Sequence, residues 1–193
     1  MKKLISFLFF LTSIIVSGQT QNNPFKIGDT GPGGGIIFYD KGDWVEDWRY
    51  LEVNTTDGPS RNYGCHKDHN TTNTIGSGLN NTLKMTDNCN DYNSSIFMKS
   101  DGGKRGWYIP NKTESQNLYY YKRDNGNEKL NLNSGWYWTS HQNDDSDAYA
   151  QQISYVSGST RGEGKQYTHK TRLIRRVTLD DIEFKENKSI YLD

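Results

Sequence analysis

A short Asn/Asp-rich segment offers the oxygen ligands that a calcium ion prefers. Residues 141–147 run His-Gln-Asn-Asp-Asp-Ser-Asp, and the candidate ligand-binding side chains are Asn143, Asp144, Asp145 and Asp147. Calcium takes six to eight oxygen ligands, which such loops can supply. The segment lacks the spacing and the final Glu of an EF-hand loop. We therefore expect a solvated turn that requires no cofactor, and a calcium site is the alternative.

A second group of candidates makes the last third of the chain locally basic. Arg161, Lys165 and Lys170 are the candidate ligand-binding residues, and His169, Arg172, Arg175 and Arg176 extend the cluster. Clustered cations can hold sulfate or carboxylate groups. The competing interpretation is that strand alternation divides them between two faces and that some pair with acidic neighbours such as Glu163. The sequence leaves both interpretations open.

The first 18 residues have the pattern of a secretory signal peptide. Two lysines precede an apolar run over residues 4–16, and small residues follow before Gln19. The run is shorter than the roughly 20 residues that a membrane-spanning helix needs. We therefore predict export to the periplasm or the extracellular space, with no stable membrane insertion after cleavage.

Export changes the expected role of the two cysteines, Cys65 and Cys89. Exported proteins meet an oxidising compartment, so we predict a disulfide between them that fastens an otherwise polar region. The alternative is a metal site that also uses His66 and His69. Because zinc ligands usually come in tight pairs such as CxxC, which this chain lacks, we predict no metal site.

The composition narrows the class of protein. Only 32% of the 193 residues are hydrophobic, while 13% are aromatic and the formal net charge is zero. Disordered chains are poor in aromatic residues, and helical bundles need aliphatic residues at helical spacing. The balanced charge argues against a nucleic-acid partner. We therefore expect a strand-rich domain with an aromatic core, in which we place Trp107, Trp136, Tyr137 and Trp138 rather than on a sugar-binding surface.

Local patterns predict the order of the elements. Ile36–Tyr39 is a short apolar, β-prone run, a turn follows it, and Trp48–Val53 alternates at period two, which together predict a hairpin. Helices are expected near residues 79–86 and 92–99, and from Lys112 to about 122, where Asn111 and Glu114 have the spacing of a capping box. Leu118 and Tyr121 or Tyr119 should face the core. Further strands are expected over Trp136–Ser140, Ala148–Val156 and part of Tyr167–Val177.

An ordered set of motifs resembles one family, the domain at the C-terminus of the Legionella collagen-like adhesin. The resemblance covers about residues 26–177 and is carried by Gly28–Tyr39 (GDTGPGGGIIFY), Trp48–Glu52 (WRYLE), Thr74–Gly78 (TIGSG) with Asn81-Thr82, Gly106–Asn111 (GWYIPN), Tyr137–Ser140 (YWTS) and Arg172–Arg176 (RLIRR). It implies an α+β, C-type-lectin-like fold with a twisted antiparallel sheet, short helices and long loops that hold a ligand site. Residues 19–25 would then be a lead-in and residues 178–193 a tail.

The resemblance also implies a function. The family adhesin is associated with sulfated polysaccharides, which indicates a secreted bacterial ligand-binding or adhesion module that recognises carbohydrate or a surface polymer. The alternative is a non-catalytic structural or assembly domain of the cell envelope. Catalysis is not expected, because the chain lacks the GxSxG, HExxH and P-loop motifs. The segment Gly28–Gly35 is too short for a collagen stalk and predicts a tight turn before the first strand instead.

Overall fold

The fold combines two β-sheets with two helices. The computed structural model describes residues 23–63, 69–88, 106–142 and 149–182. The elements are β1 (Ile36–Asp40), a 3-10 turn (Val45–Asp47), β2 (Trp48–Val53), β3 (Gly58–Asn62), α1 (Gly78–Asn88), α2 (Lys112–Asn125), β4 (Trp136–Gln142), β5 (Tyr149–Ser154), β6 (Thr160–Gly164), β7 (Thr168–Thr171) and β8 (Ile174–Thr178). The mixed α+β class is confirmed. None of the described helices is long and apolar enough to cross a bilayer.

The smaller sheet joins the two ends of the described chain. Its order is β1-β2-β8, and both pairings are antiparallel. The β1–β2 hairpin confirms the prediction made from the alternating pattern. One face of this sheet packs on the main core, and the other packs around Phe25, Ile37, Tyr50 and Val177. Because both faces are covered, every residue of β2 is buried.

The larger sheet has the order β3-β7-β4-β5-β6. The prediction of purely antiparallel strands in one sheet is wrong, because β4 and β7 pair in parallel at Tyr137 and Lys170. The predicted strand within Tyr167–Val177 is two strands. The chain leaves the larger sheet after Thr171 and enters the smaller one at Ile174, where Ile174 and Tyr108 exchange backbone hydrogen bonds of 2.8 and 2.9 Å.

Helix α2 begins as the sequence predicts. The Asn111 side chain accepts a hydrogen bond from the Glu114 amide at 2.9 Å, and the Glu114 carboxylate accepts one from the Asn111 amide at 2.7 Å. This is the predicted capping box, in which two otherwise unpaired amides are satisfied. Leu118 and Tyr121 are buried against the main core, also as predicted. Helix α1 confirms the helix expected near residues 79–86, whereas residues 92–99 lie outside the described ranges.

Aromatic side chains make up much of the interior. Tyr137 and Trp138 are buried, as predicted, but Trp107 and Trp136 are only partly buried, so the prediction that they belong to the core is wrong. Tyr137 points into the main core and Trp138 into a second cluster on the opposite face of β4. The second cluster is Tyr63, Met85, Ile109 and Trp138.

The glycine-rich segment before β1 is a turn that closes over a buried carboxylate. The Gly33 amide donates to Glu52 Oε1 at 2.8 Å, and Arg175 Nε lies 3.3 Å from the same oxygen. A Cβ at Gly31 would lie 1.8 Å from Glu52 Oε2, and one at Gly33 would lie 2.1 Å from Oε1. The glycines are therefore needed for close approach to Glu52, and the predicted turn is confirmed.

Gly35 offers the most direct test of this packing. A Cβ at Gly35 would lie 2.4 Å from the Val53 carbonyl oxygen, which belongs to the backbone of β2 and cannot rotate away. We expect Gly35→Ala to lower the free energy of unfolding by about 3 kcal/mol, at the upper end of overpacking costs. Gly34→Ala is the matched control: its space is open, but its φ of 84° is left-handed. We expect it to cost about 1 kcal/mol. Equal losses in urea unfolding would contradict the close-packing explanation.

The buried carboxylate of Glu114 predicts a pH dependence of stability. Burial raises its pKa to about 7, although amides of Gly76, Gly78 and Asn111 donate to the carboxylate and oppose the shift. The folded state therefore binds this proton more tightly than the unfolded state. This proton stabilises the folded state fully at pH values below the unfolded pKa of about 4.5. The stabilisation, about 3 kcal/mol, is lost as pH rises to 7. Urea unfolding should show a smaller loss between about pH 5 and pH 7.5 for Glu114→Gln than for the unmodified protein. Equal losses would contradict the assignment.

Candidate functional site

A group of polar side chains surrounds Glu163 on the β4–β5–β6 part of the larger sheet. Arg161 and Glu163 are two residues apart on β6, so their side chains project from the same face. Arg161 Nη2 donates to Glu163 Oε2 at 3.0 Å, and about half of the Arg161 side chain is exposed. The Arg161 guanidinium also lies over the ring of Trp136, with Cζ 4.3 Å from the ring centroid. Arg161, Glu163 and Trp136 form the outer part of this site. Together with Gln152 and His169, described next, we call them the Glu163 group.

Gln152 forms the inner part. It lies opposite Arg161 in the β5–β6 register and opposite Trp138 in the β4–β5 register, and it is fully buried. Its Nε2 donates to Glu163 Oε2 at 3.2 Å. Its Oε1 has no hydrogen-bond partner among the described residues. A buried amide oxygen without a partner is costly, and an enclosed water molecule is the kind of partner that would satisfy it.

His169 of β7 borders the same group. Its ring packs edge-on against Trp138, with centroids 4.8 Å apart, and its Nε2 is buried without a hydrogen-bond partner among the described residues. Burial lowers the pKa of His169, and the nearby charge of Glu163 opposes that shift while Arg161 reinforces it. The imidazole is therefore neutral at pH 7. A neutral imidazole offers one donor and one acceptor, which suits a hydroxyl group.

The predicted basic cluster does not form one patch. Of the three predicted residues, only Arg161 belongs to the Glu163 group. Lys165 is fully buried, and its Nζ lies 5.7 Å from the centroid of the Tyr63 ring. Lys170 lies on the opposite face, where Nζ donates to the Ser134 carbonyl at 3.0 Å and lies 5.6 Å from the centroid of the Tyr137 ring. Strand alternation separates Lys170 from its neighbour His169, and Arg161 pairs with Glu163, as the competing interpretation held, whereas Lys165 is set apart by its burial.

The arginines at the start of the last strand, Arg172 and Arg175, are also engaged internally. Arg172 is fully buried; it contacts Asp57 at 2.5 Å and donates to the carbonyls of Asn54, Leu130 and Asn131. Arg175 pairs with Glu52 and Asp181. Both residues therefore have a structural role, and neither is available to bind a sulfate-rich chain.

The remaining predicted site residues lie outside the described ranges. These are Asn143, Asp144, Asp145 and Asp147 of the acidic segment and the two cysteines, Cys65 and Cys89. The calcium alternative and the disulfide therefore stay predictions. Among the residues that the structure describes, no three His, Cys, Asp or Glu side chains come together in a way that could hold a metal ion.

Two concavities lie elsewhere among the described residues, and the larger of the two is a cleft. It has a volume of about 470 Å³ and lies beside the smaller sheet, where β2, β8, Leu79, Gly106 and residues 180–181 meet. A smaller depression of about 290 Å³ lies between residues 27–29 and the end of α2. Neither is lined by a member of the Glu163 group.

Gln152 is the site residue that sequence reasoning missed. The segment Ala148–Val156 alternates, which placed Ile153 in the core and Gln152 on the other face, where a polar residue is ordinarily solvated. No local signal shows that Gln152 is buried, because its neighbours Trp138, Arg161 and Glu163 belong to other strands.

No protein-family model matches the sequence, and no curated protein matches it either.

His169 provides a test of this electrostatic arrangement. Its pKa should lie below the ordinary value of 6.5 because of burial. Glu163→Gln removes the charge that raises this pKa, so we expect a further decrease. Arg161→Ala removes a charge that lowers it, so we expect an increase. Titration followed by histidine ring NMR signals measures both changes, and shifts in the opposite directions would show that the two charges do not act on His169.

Proposed function

We propose that the protein is a secreted bacterial ligand-binding module with a C-type-lectin-like fold, and that it recognises carbohydrate or a surface polymer through the Glu163 group. The fold proposal is supported by the small sheet, in which an N-terminal hairpin pairs with the last strand, and by the separate sheet of later strands. The family resemblance supports the same fold. The geometry of the Glu163 group carries the proposal of a ligand class.

The Glu163 group combines the contacts that a sugar needs. A sugar presents hydroxyl groups that both donate and accept, together with apolar C–H surfaces. Arg161 donates and Glu163 accepts at the surface, and beneath them the buried Gln152 donates to the same Glu163 carboxylate and holds it in place. The partly buried Trp136 supplies an apolar aromatic surface beside them. The observation that carries the proposal is this combination of a partly exposed ion pair and a partly buried indole on one sheet face.

The charge of the site favours a neutral glycan over a sulfated one. Arg161 is already paired with Glu163, so the outer part of the site carries no net charge. A polyanion needs several unpaired cations for strong binding, and Lys165 and Lys170 face other parts of the structure. Binding of neutral sugars depends on hydrogen bonds and stacking, which salt screens little.

The chemistry of the group also supports binding rather than catalysis. Its one carboxylate, Glu163, accepts hydrogen bonds from Arg161 and Gln152. Paired acids that act on a glycosidic bond need two carboxyl groups with different protonation. Within the described residues, Glu163 has no such partner in this group. We therefore propose a non-catalytic role.

A glycan array on the mature protein tests the function. We expect binding of neutral glycans, and we expect Trp136→Ala and Arg161→Ala each to weaken it at least about tenfold, equivalent to about 1.4 kcal/mol. Arg123→Ala is the matched control, because Arg123 also pairs with an acid, Asp124, and lies over an aromatic ring, that of Tyr120. It should leave binding unchanged.

Other outcomes would change the conclusion. A uniformly blank array would favour the structural or assembly role in the cell envelope. Binding that is confined to sulfated glycans and is lost at high salt would contradict a neutral ligand. An equal effect of Arg123→Ala and Arg161→Ala would contradict the placement of the site on β6.

A further inference from the structure

The cleft beside the smaller sheet contains charges and N–H groups that the fold leaves unused. We define the Arg176 cleft by Glu46, Trp48, Leu79, Arg176 and Asp180, which line it together with residues of the paired Arg175–Asp181 network. Its volume of about 470 Å³ falls within the range of small-molecule sites. The cleft lies on the smaller sheet, whereas the proposed glycan site lies on the larger one.

The cationic side of the cleft is formed by Arg176 and Trp48. Arg176 Nη2 donates to the Gly76 carbonyl at 2.6 Å, and the guanidinium Cζ lies 5.3 Å from the centroid of the Trp48 ring. No carboxylate of a described residue comes within 4 Å of the Arg176 nitrogens. Arg176 also shares a hydrogen bond with the buried Tyr108 hydroxyl, so its contacts within the described residues are to neutral groups and its charge has no direct ion pair there.

Two N–H groups at this position are buried without partners. Arg176 Nε and Trp48 Nε1 make no hydrogen bond to a described residue, and Trp48 is only 1% exposed. The indole edge beside Nε1 packs against Gly76. A Cβ added at Gly76 would lie 3.3 Å from Trp48 Cε2 and 3.2 Å from Arg176 Nη2, so both side chains border this glycine. The guanidinium and indole N–H groups can only donate hydrogen bonds, so each of them suits a carboxylate oxygen.

The opposite side of the cleft is acidic. Asp180 is exposed and makes no ion pair with a described residue, whereas Asp181 is held by Arg175 and by the Thr178 amide. Glu46 also lines the cleft, and its charge acts on Lys41. The Lys41 Nζ lies over the Trp48 ring, 4.1 Å from the ring centroid. The cleft thus contains the Arg176 cation together with two carboxylates, those of Glu46 and Asp180, that make no ion pair with a described residue, and it includes the apolar Leu79.

We propose that the Arg176 cleft binds a small zwitterion, a free amino acid or a dipeptide. The carboxylate of the ligand pairs with the Arg176 guanidinium beside the Trp48 indole N–H, and the ammonium group pairs with Asp180. A simple anion is repelled by the carboxylates of the cleft, and a simple cation is repelled by Arg176. Only a ligand that carries both charges can pair with both. This ligand class is independent of the proposed recognition of glycans.

The test uses the mature protein labelled with nitrogen-15, and it follows the Trp48 indole N–H signal, assigned with Trp48→Phe. Three probes are titrated: alanyl-alanine, which is a zwitterion; N-acetyl-alanine, which has only the carboxylate; and alanine methyl ester, which has only the ammonium group. We expect a saturable shift with alanyl-alanine and at least about tenfold weaker binding of the other two. Equal binding of either single-charge probe, or no saturation by alanyl-alanine, would overturn the proposal.

Asp180→Asn separates the two halves of the site. Asp180 has no hydrogen bond to a described residue, so this variant should fold normally. We expect it to weaken alanyl-alanine about tenfold and to leave N-acetyl-alanine unchanged. Asp124→Asn on α2 is the matched control and should change neither. Unchanged binding of alanyl-alanine by Asp180→Asn would overturn the role of Asp180. Arg161→Ala belongs to the proposed glycan site, so it should leave the binding of alanyl-alanine intact whatever the glycan array shows.

Discussion

The fold depends on buried charged side chains that hydrogen-bond the backbone of its loops. Arg172 is the clearest case. It is fully buried and reaches three backbone carbonyls and one carboxylate, and these partners belong to segments 54–57 and 130–131. A loop carbonyl inside a protein needs a donor, and a guanidinium supplies several in a fixed plane. One side chain therefore fastens two loops that have little apolar material of their own.

Two glutamates serve the complementary need. Glu114 accepts hydrogen bonds from the amides of Gly76, Gly78 and Asn111, so it joins the start of α1 to the start of α2. Glu52 accepts from the Gly33 amide and pairs with Arg175, so it holds the glycine-rich turn against β2. Burying an ion is costly, and removing one member of such a pair leaves the other uncompensated. These contacts explain how a chain with 32% hydrophobic residues packs loops around an aromatic interior.

Local patterns predict the elements whose stability is local. The alternation of Trp48–Val53 predicts a strand of the hairpin, and Asn111 with Glu114 predicts the start of α2, because these signals act within a few residues. Strands β3 and β6 were missed because Gly58–Asn62 and Thr160–Gly164 are glycine-containing and polar, with low intrinsic strand preference. They are strands because β7 and β5 pair with them. The parallel pairing of β4 and β7 is equally a product of distant contacts, so no short-range pattern could reveal it.

The candidate site was predictable only in part, for a related reason. The sequence shows which side chains carry charge, but their role depends on whether a partner lies within reach. Arg172 and Arg175 pair with carboxylates and carbonyls of the fold, Arg161 contacts both Glu163 and Trp136, and Arg176 has no ion pair with an acidic side chain among the described residues. Because these four arginines lie close together along the chain, the sequence predicts that they belong to one basic cluster. Pairing separates them into structural cations, a mixed polar surface and one unpaired charge beside a cleft, and it is the unpaired or half-exposed groups that retain the capacity to bind a ligand.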